Sequence, residues 1–205
     1  MRASIGSFLN LVADRLSEGR SLVRPRSACP SCERPLPGRE MVPVLSHLWL
    51  RGRCRRCSAG IPVRLFVVEV LTGVLFTAAY LRYGAGVELL VVCAAVALFL
   101  AVAIIDLEHR LILNHMVFPS MAVLLLAAPF WTEMGFPRTF LGDSTMMASF
   151  LNSLASDAGA FLLFYLVLVA YPSGFGAGDV NLAGMMGLLL GFPTIAAALW
   201  IGIVV

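Results

Sequence analysis

Four cysteines are arranged as two closely spaced pairs, Cys29-x2-Cys32 and Cys54-x2-Cys57, with 21 residues between the pairs. Each CxxC turn presents two thiolates, and two such turns supply the four ligands of a tetrahedral zinc site. We therefore predict a zinc ion bound by all four cysteines. Its role would be structural, because four protein ligands leave no coordination position open for a substrate. A pair of disulfides or a redox couple is the alternative for the same residues.

Two aspartates adjoin long apolar runs. Asp106 ends the run AVALFLAVAIID, and Asp179 ends the glycine-rich stretch GFGAGD and precedes another apolar run. Two carboxylates that lie close together can share one proton, so that the ionised group activates water and the protonated group donates to a scissile carbonyl, as in aspartic proteases. Gly176 and Gly178 would let backbone or substrate approach this active-site loop closely. The structural alternative is that each aspartate caps a helix or marks a membrane boundary.

Other polar residues lie in or beside the apolar runs. Glu69 lies inside one of them, where a carboxylate is costly and often functional; the alternative is that it reaches back toward the membrane interface. Asp157 is predicted near the entry of a span and therefore at the interface. Glu108, His109 and Arg110 are predicted to be solvated loop residues.

The composition indicates that membrane helices position these groups. Of the 205 residues, 60% are hydrophobic and 13% are charged, and the mean hydropathy is +0.89, whereas soluble domains have about 25% charged residues. These values exclude a disordered chain and disfavour a soluble globular protein. The net charge of +3 is uneven, since residues 1–64 carry twelve arginines and four acids, and residues 65–205 carry three arginines and eight acids. Basic residues beside a span are typical of a cytoplasmic flank, and we expect no nucleic-acid partner.

We predict an all-α polytopic membrane protein with a small cytoplasmic zinc-binding loop domain. Residues 1–13 are expected to be the remnant of a first membrane helix. Residues 14–64, rich in arginine, proline and cysteine, are expected to form the zinc-type domain from short strands and turns. Residues 65–205 are expected to form the membrane core. Its predicted spans are residues 65–83, 87–105, 111–131, 154–171, 180–190 and 194–205.

The number of spans predicts the side of the membrane on which each aspartate emerges. If the arginine-rich domain is cytoplasmic, the chain returns to the cytoplasmic side after two spans, at Asp106. It returns again after two more spans, at Asp179. Two acidic positions that are far apart in the sequence are therefore predicted to share one membrane face.

The ordered set of motifs resembles the type IV prepilin peptidase family, which comprises GxGD-type intramembrane aspartic proteases. The resemblance covers nearly the whole chain. GSFLNLVADRL is similar to the family's GSFLNVVIYRLP, and the cysteine-rich segment is similar to the family's zinc loop, with the same 21-residue gap. VVEVLTGVLF resembles the family's VELLTG segment. IIDLEHRLILN resembles the first catalytic-aspartate motif, and GAGD matches the second, the GxGD motif. These matching segments are residues 6–16, 25–64, 67–76, 104–114 and 176–179.

The resemblance implies a helical intramembrane aspartic protease core in the bacterial inner membrane, with Asp106 and Asp179 as the catalytic pair. It implies that the enzyme cleaves the basic leader of prepilins or pseudopilins, of type IV pili or type II secretion, after a glycine at the cytoplasmic face. It also implies N-methylation of the new N-terminus with S-adenosylmethionine, and the zinc-loop cysteines are associated with members that methylate. Relative to the family, the chain is expected to be truncated at both ends.

Two positions depart from the family pattern. Leu113-Asn114 stands where Pro-Asp is common, and Asn181 stands where a lysine is common. Neither change removes a catalytic carboxylate, but both bear on substrate contacts. The chief alternative function is a noncatalytic membrane protein whose zinc loop recruits a cytoplasmic partner. A transporter is a third hypothesis, but it would need further paired polar residues along a path through the membrane, and the sequence has few.

Overall fold

The computed structural model describes residues 2–17, 29, 31–32, 44–172 and 176–204, and it divides the chain into two compact units, Met1–Arg110 and Leu111–Val205. The described residues include three helices that are long and apolar enough to cross a membrane, Val63–Tyr83, Val87–His109 and Met146–Ala170. The prediction of an all-α membrane protein is confirmed.

In the described residues, the first unit contains four α-helices in chain order: α1 (Arg2–Ser17), α2 (Leu45–Trp49), α3 (Val63–Tyr83) and α4 (Val87–His109). α1 packs against both α3 and α4. The close approach of α1 to α3 depends on Gly6, because a Cβ atom at this position would lie 2.8 Å from the Cα of Glu69. In the same interface, the side-chain amide of Asn10 donates a 3.2 Å hydrogen bond to the carbonyl of Leu65. A small residue and an interhelical hydrogen bond thus accompany the tight packing of two apolar helices.

An arginine at the start of α3 connects three helices of the first unit. The Arg64 guanidinium forms ion pairs with Asp14 of α1, at 2.5 Å, and with Glu108 in the last turn of α4. All three side chains keep partial solvent exposure, between 24% and 43%, so each pair contributes about 0–1 kcal/mol to stability. Their effect is mainly geometric, because they hold the end of α4 beside α1 and α3.

The segment predicted to form the zinc-type domain is described only in part. α1 continues to Ser17 instead of ending near residue 13, and α2 lies where the sequence predicts short strands and turns. In the described residues of this segment, strand-like pairing is limited to one antiparallel bridge between Arg53 and Gly60. The same prediction for residues 18–28, 30 and 33–43 lies outside the described residues.

The described part of the second unit contains four further helices and one 3-10 turn: α5 (Asn114–Ala127), the 3-10 turn (Ala128–Phe130), α6 (Met146–Ala170), α7 (Ala177–Leu190) and α8 (Thr194–Val204). α6 and α7 share the most extensive contact, and glycines permit it. A Cβ atom at Gly184 would lie 2.7 Å from Oδ1 of Asp157, and one at Gly187 would overlap the Ser156 carbonyl. Small residues allow this kind of close backbone approach between membrane helices.

A buried arginine closes the C-terminal end of α7. The Arg138 guanidinium donates hydrogen bonds to the carbonyl of Leu188, at 2.9 Å, to the carbonyl of Leu189 and to the hydroxyl of Ser153. It also lies over the ring of Trp131, 4.6 Å from the centroid. Burial lowers the pKa of Arg138 to about 10, so the group stays charged at neutral pH. Because the last carbonyls of a helix lack partners within the helix, this contact stabilises the end of α7.

Two helix boundaries differ from the predicted ones, and the differences change the surroundings of Asp106 and Asp157. α4 continues to His109, so the residues from Asp106 to His109 are helical and not a polar break. α6 begins at Met146, eight residues before the predicted span, because the Thr145 hydroxyl caps it by accepting a 3.2 Å hydrogen bond from the N–H of Ala148. Asp157 consequently lies near the middle of a 25-residue helix, and its predicted location near a span entry is wrong.

Candidate active site and candidate metal centre

The four predicted metal ligands lie together in the first unit. The Sγ atoms of Cys29, Cys32, Cys54 and Cys57 all lie within 4.8 Å of one another, and the Sγ atoms of Cys29 and Cys57 are 3.7 Å apart. A tetrahedron with Zn–S bonds of about 2.3 Å has S···S edges of about 3.8 Å. All four cysteines are free thiols and no disulfide joins them. The cluster could therefore bind a metal ion, and its donor set suits zinc.

Backbone N–H groups favour the thiolate of the first cysteine in each CxxC turn. The N–H groups of Cys57 and Arg56 point at Cys54 and lower the pKa of its thiol to about 6. The first turn repeats this pattern and lowers the pKa of Cys29. The N–H of Ala59 likewise favours the Cys57 thiolate, but desolvation and the neighbouring thiols outweigh it and raise that pKa to about 11. Ionising all four thiols together thus calls for a cation, which a divalent metal supplies.

Short backbone hydrogen bonds connect the second CxxC turn to the chain that enters α3. The N–H of Cys54 donates to the carbonyl of Ala59 at 2.8 Å, and the N–H of Ile61 donates to the carbonyl of Gly52 at 2.7 Å. Gly52 has a φ of +65°, a conformation that glycine adopts without steric penalty. The cysteine cluster is thereby positioned next to the start of a membrane helix.

Glu69 of α3 contacts the residue that precedes α2. Its Oε2 accepts a 2.7 Å hydrogen bond from the backbone N–H of Val44, which has a φ of +63°. That conformation is unfavourable for a β-branched residue, so the carboxylate holds a turn that the chain would otherwise avoid. Of the two predicted roles for Glu69, this contact favours the carboxylate that reaches out of the apolar region.

Asp106 begins the last turn of α4. Its backbone carbonyl accepts a 2.8 Å hydrogen bond from the N–H of Arg110, whose left-handed conformation ends the helix. The Asp106 side chain is exposed. Because Glu108 holds the same turn through Arg64, the end of α4 is anchored while the Asp106 carboxylate stays accessible.

Asp179 lies in the first turn of α7. Its Oδ2 accepts a 2.8 Å hydrogen bond from the backbone N–H of Gly176, the N-cap residue. Because Gly176 has no side chain, this contact is one half of a capping box, and the helix-capping role that the sequence left open is present. A carboxylate has more acceptor sites than one such bond uses. Asp106 and Asp179 belong to different units, and their pairing stays a prediction.

The two glycines of the GAGD segment have different surroundings. A Cβ atom at Gly178 would lie 2.8 Å from the Cβ of Ile112, closer than carbon atoms approach without displacement. A Cβ atom at Gly176 would have Oδ2 of Asp179 as its nearest neighbour, at 3.4 Å. Of these two glycines, only Gly178 must therefore lack a side chain. The reason is that the start of α7 packs closely against the residues before α5.

The two positions that depart from the family pattern meet in the second unit. The side-chain amide of Asn181 donates a 3.2 Å hydrogen bond to Oδ1 of Asn114. This contact links the first turn of α5 to the first turns of α7, two residues from Asp179. Two neutral amides that satisfy each other add no charge beside the candidate catalytic carboxylate.

The structure also reveals polar contacts that the sequence reasoning missed. Glu108 is exposed, as predicted, but it lies in the last turn of α4 and not in a loop, and it forms an ion pair with Arg64. Opposite charges at the ends of neighbouring apolar runs were the available sequence signal. Asp157 has a buried Oδ1 without a hydrogen-bond partner in the described residues. Thr145 was the sequence signal for an N-cap at this position. A helix that begins there is longer than predicted, and Asp157 then lies near its middle.

Two family models match the chain. One, described as Bacterial Peptidase A24 N-terminal domain, matches residues 1–83, and the other, described as Type IV leader peptidase family, matches residues 93–205. The second match covers more than half of the chain and includes both candidate aspartates. No solved structure is significantly similar to the chain.

Curated relatives with the name Prepilin leader peptidase/N-methyltransferase are similar over most of this chain. The Myxococcus xanthus protein is 39% identical over 192 residues, which cover 91% of this chain and 53% of that protein. The Bacillus subtilis protein is 29% identical over 98% of this chain and 75% of its own length. The Klebsiella pneumoniae protein is 32% identical over 96% of this chain and 85% of its own length. The chain thus spans about half of the first relative and most of the other two.

Proposed function

Because the chain belongs to the type IV leader peptidase family, we propose that it is a membrane-embedded aspartic endopeptidase. It removes the basic leader of prepilins or pseudopilins at the cytoplasmic face of the bacterial inner membrane. The observation that carries this proposal is the turn of Asp179. Its carboxylate accepts the N–H of Gly176 at the start of an apolar helix. The residue before it, Gly178, lies so close to Ile112 that the position admits no side chain.

In the proposed mechanism, Asp106 and Asp179 act as a pair on one peptide bond. One carboxylate is ionised and takes a proton from water, whose oxygen attacks the carbonyl carbon. The other is protonated and donates to the carbonyl oxygen. The tetrahedral intermediate then collapses, the C–N bond breaks, and the leaving nitrogen receives a proton.

The helix ends support a division of roles between the two aspartates. The N-terminus of a helix carries partial positive charge and its C-terminus partial negative charge. Asp179 lies at an N-terminus and accepts the N–H of Gly176, so its surroundings suit the negatively charged base. Asp106 lies in the last turn of α4, so its surroundings suit the neutral acid. We assign the water-activating role to Asp179 and the donor role to Asp106.

The substrate must present an extended backbone at the scissile bond, because a helix hides its carbonyls within its own hydrogen bonds. A glycine before the cut suits this requirement, since glycine is a poor helix former. The basic leader would stay on the cytoplasmic side and the apolar remainder of the prepilin would lie in the bilayer.

We further propose that the cysteine cluster binds structural zinc and that the new N-terminus is methylated with S-adenosylmethionine. The zinc proposal is supported by the four clustered thiols. The methylation proposal is supported by the names of the relatives, which include N-methyltransferase. Zinc would hold the two CxxC turns together and would not enter the peptidase reaction.

A noncatalytic membrane protein is the second candidate function. The capping bond of Asp179 favours it, because a carboxylate can be retained for helix stability alone. In that protein, Asp106 and Asp179 would have independent structural roles, and the cysteine cluster would recruit a cytoplasmic partner.

Asp→Asn substitutions distinguish the two candidates. The chain is incubated with a prepilin and S-adenosylmethionine, and the mass of the product's N-terminal peptide is measured. We expect cleavage to be abolished by Asp106→Asn and by Asp179→Asn. Asp157→Asn, which changes an acid of the same apolar core outside the pair, is the matched control and should cleave.

Three masses are distinguishable: uncleaved substrate, cleaved product, and cleaved product with one added methyl group. Cleavage by either Asp106→Asn or Asp179→Asn would contradict the paired mechanism. No cleavage by the unmodified chain, in detergent and in vesicles, would favour the noncatalytic candidate. Cleavage without methylation would contradict the methyltransferase proposal alone.

A further inference from the structure

An exposed surface of α2 and the following turn combines large apolar side chains with arginines. Leu45, Leu48 and Trp49 are 63%, 59% and 88% exposed. The arginines that follow are exposed as well, and in the described residues none of their side chains forms an ion pair with a carboxylate. We call this the α2 surface. Its members are Leu45, Leu48, Trp49, Arg51, Arg53, Arg55 and Arg56.

The α2 surface lies beside the first two turns of a membrane helix. The ring of His47 in α2 stacks on Phe66 of α3, with centroids 5.1 Å apart, and the backbone before α2 bonds to Glu69. α3 has 21 residues, about 31 Å at 1.5 Å per residue, which matches a hydrocarbon core of about 30 Å. If α3 spans that core along its whole length, Val63, its first residue, lies at one boundary of the core, and α2 lies beside the same boundary.

We propose that the α2 surface is a membrane-interface anchor whose ligand is the anionic phospholipid headgroup layer. Trp49 and the two leucines enter the interfacial region, where aromatic and apolar side chains are favoured. The arginines contact lipid phosphates. The anchor would hold the cysteine cluster against the bilayer, and it does not depend on Asp106 or Asp179.

Charge decides between lipid and the other available partners. A basic leader peptide would be repelled by these four arginines, which form no ion pair with a carboxylate in the part of the chain that the structure describes, whereas an anionic headgroup layer is attracted by each of them. An acidic cytoplasmic protein has the same complementary charge. It does not, however, explain why the apolar residues lie at the depth where α3 enters the hydrocarbon core.

Quenching of Trp49 fluorescence by brominated lipids tests the location. The full chain and its Trp49→Phe variant are reconstituted into phosphatidylcholine vesicles with bromines near the headgroup or near the chain end. The difference between the two emission spectra isolates Trp49, because the other tryptophans are common to both. We expect the difference signal to be quenched by the shallow bromines more than by the deep ones. A difference signal that iodide quenches and neither lipid does would overturn the proposal and favour a protein partner.

A second experiment tests the role of the arginine charges by measuring whether the α2 surface prefers anionic lipid. Brominated phosphatidylglycerol is compared with brominated phosphatidylcholine in mixed vesicles. We expect at least about five-fold stronger association of the anionic lipid, the contribution of one arginine near the surface, and a smaller preference at high salt. Equal quenching by the two lipids at low salt would overturn the proposal.

The substitution of all four arginines by glutamine should abolish the lipid preference. The matched control is Arg82→Gln, which changes an exposed arginine at the other end of α3 and should retain it. Thermal unfolding in detergent reports whether the four-fold variant folds. If that variant does not fold, the salt dependence of the unmodified chain decides the question by itself. A folded four-fold variant with an unchanged preference would overturn the role of the arginines.

Discussion

The contact between Gly178 and Ile112 yields a sharp prediction about the GAGD turn. The sequence treats Gly176 and Gly178 alike, but the structure separates them. A Cβ atom added at Gly178 would lie 2.8 Å from the Cβ of Ile112, whereas one added at Gly176 would lie 3.4 Å from Oδ2 of Asp179. We therefore expect Gly178→Ala to impair leader cleavage strongly and Gly176→Ala to impair it little.

The size of the effect follows from the missing space. Unbonded carbon atoms prefer a separation of about 3.5–4.0 Å, so the turn or its neighbour must move by about 1 Å. Overpacking of this kind costs about 1–3 kcal/mol of stability. A displacement of about 1 Å at reacting groups lowers the rate by about 100-fold. Because Asp179 is the next residue, we expect a loss of this order in kcat/KM.

A compensating substitution separates a steric effect from general damage. Ile112→Gly removes the side chain that the new methyl group would meet, so the double variant Gly178→Ala/Ile112→Gly should recover much of the activity that Gly178→Ala loses. The assay is the initial rate of leader cleavage on a fixed prepilin, with thermal unfolding in detergent measured for each variant.

Three results would refute this reasoning. Gly178→Ala with unchanged cleavage would mean that the contact with Ile112 does not position Asp179. Equal losses in Gly176→Ala and Gly178→Ala would mean that the backbone freedom of both glycines matters more than the available space. A double variant no better than Gly178→Ala would remove the steric explanation.

Three further predictions concern the surrounding structure. Arg138→Met should lower the free energy of unfolding by about 1–3 kcal/mol for each of the two carbonyls that it leaves without a donor, those of Leu188 and Leu189. Calorimetry in detergent that shows no larger loss than in the exposed control Arg82→Met would contradict this prediction. Glu69→Gln should retain leader cleavage, because an amide oxygen can still accept a hydrogen bond from the Val44 N–H. Glu69→Leu cannot accept this bond and should increase proteolysis around residue 44. An inactive Glu69→Gln variant would show that the acid itself is required. Metal analysis should find about one zinc per chain, and oxidised thiols without metal would support the redox alternative.

The cysteine cluster was predictable because its members come from two short local motifs. Each CxxC turn brings two thiols together within four residues, so the spacing alone indicates a four-thiolate set. The clustering of Cys29, Cys32, Cys54 and Cys57 agrees with that prediction. Helices were predictable for a similar reason, since long apolar runs of sufficient length have few alternatives in a membrane.

Helix boundaries were less predictable because single side chains decide them. The apolar run before Asp106 gives no reason to extend α4 to His109; the ion pair of Glu108 with Arg64 and the left-handed Arg110 accompany that end. Likewise, the Thr145 cap moves the start of α6 and changes Asp157 from an expected interfacial residue to one in the middle of a helix.

The sequence by itself determined the helical membrane class, the cysteine set and the two candidate aspartates, because residue type, local spacing and hydropathy carry that information. Only the tertiary structure decided which glycine must lack a side chain and which carboxylates meet Arg64. These contacts join residues such as Gly178 and Ile112 that are far apart along the chain. Their distances depend on how whole helices pack, and no local pattern of residue types encodes such a distance.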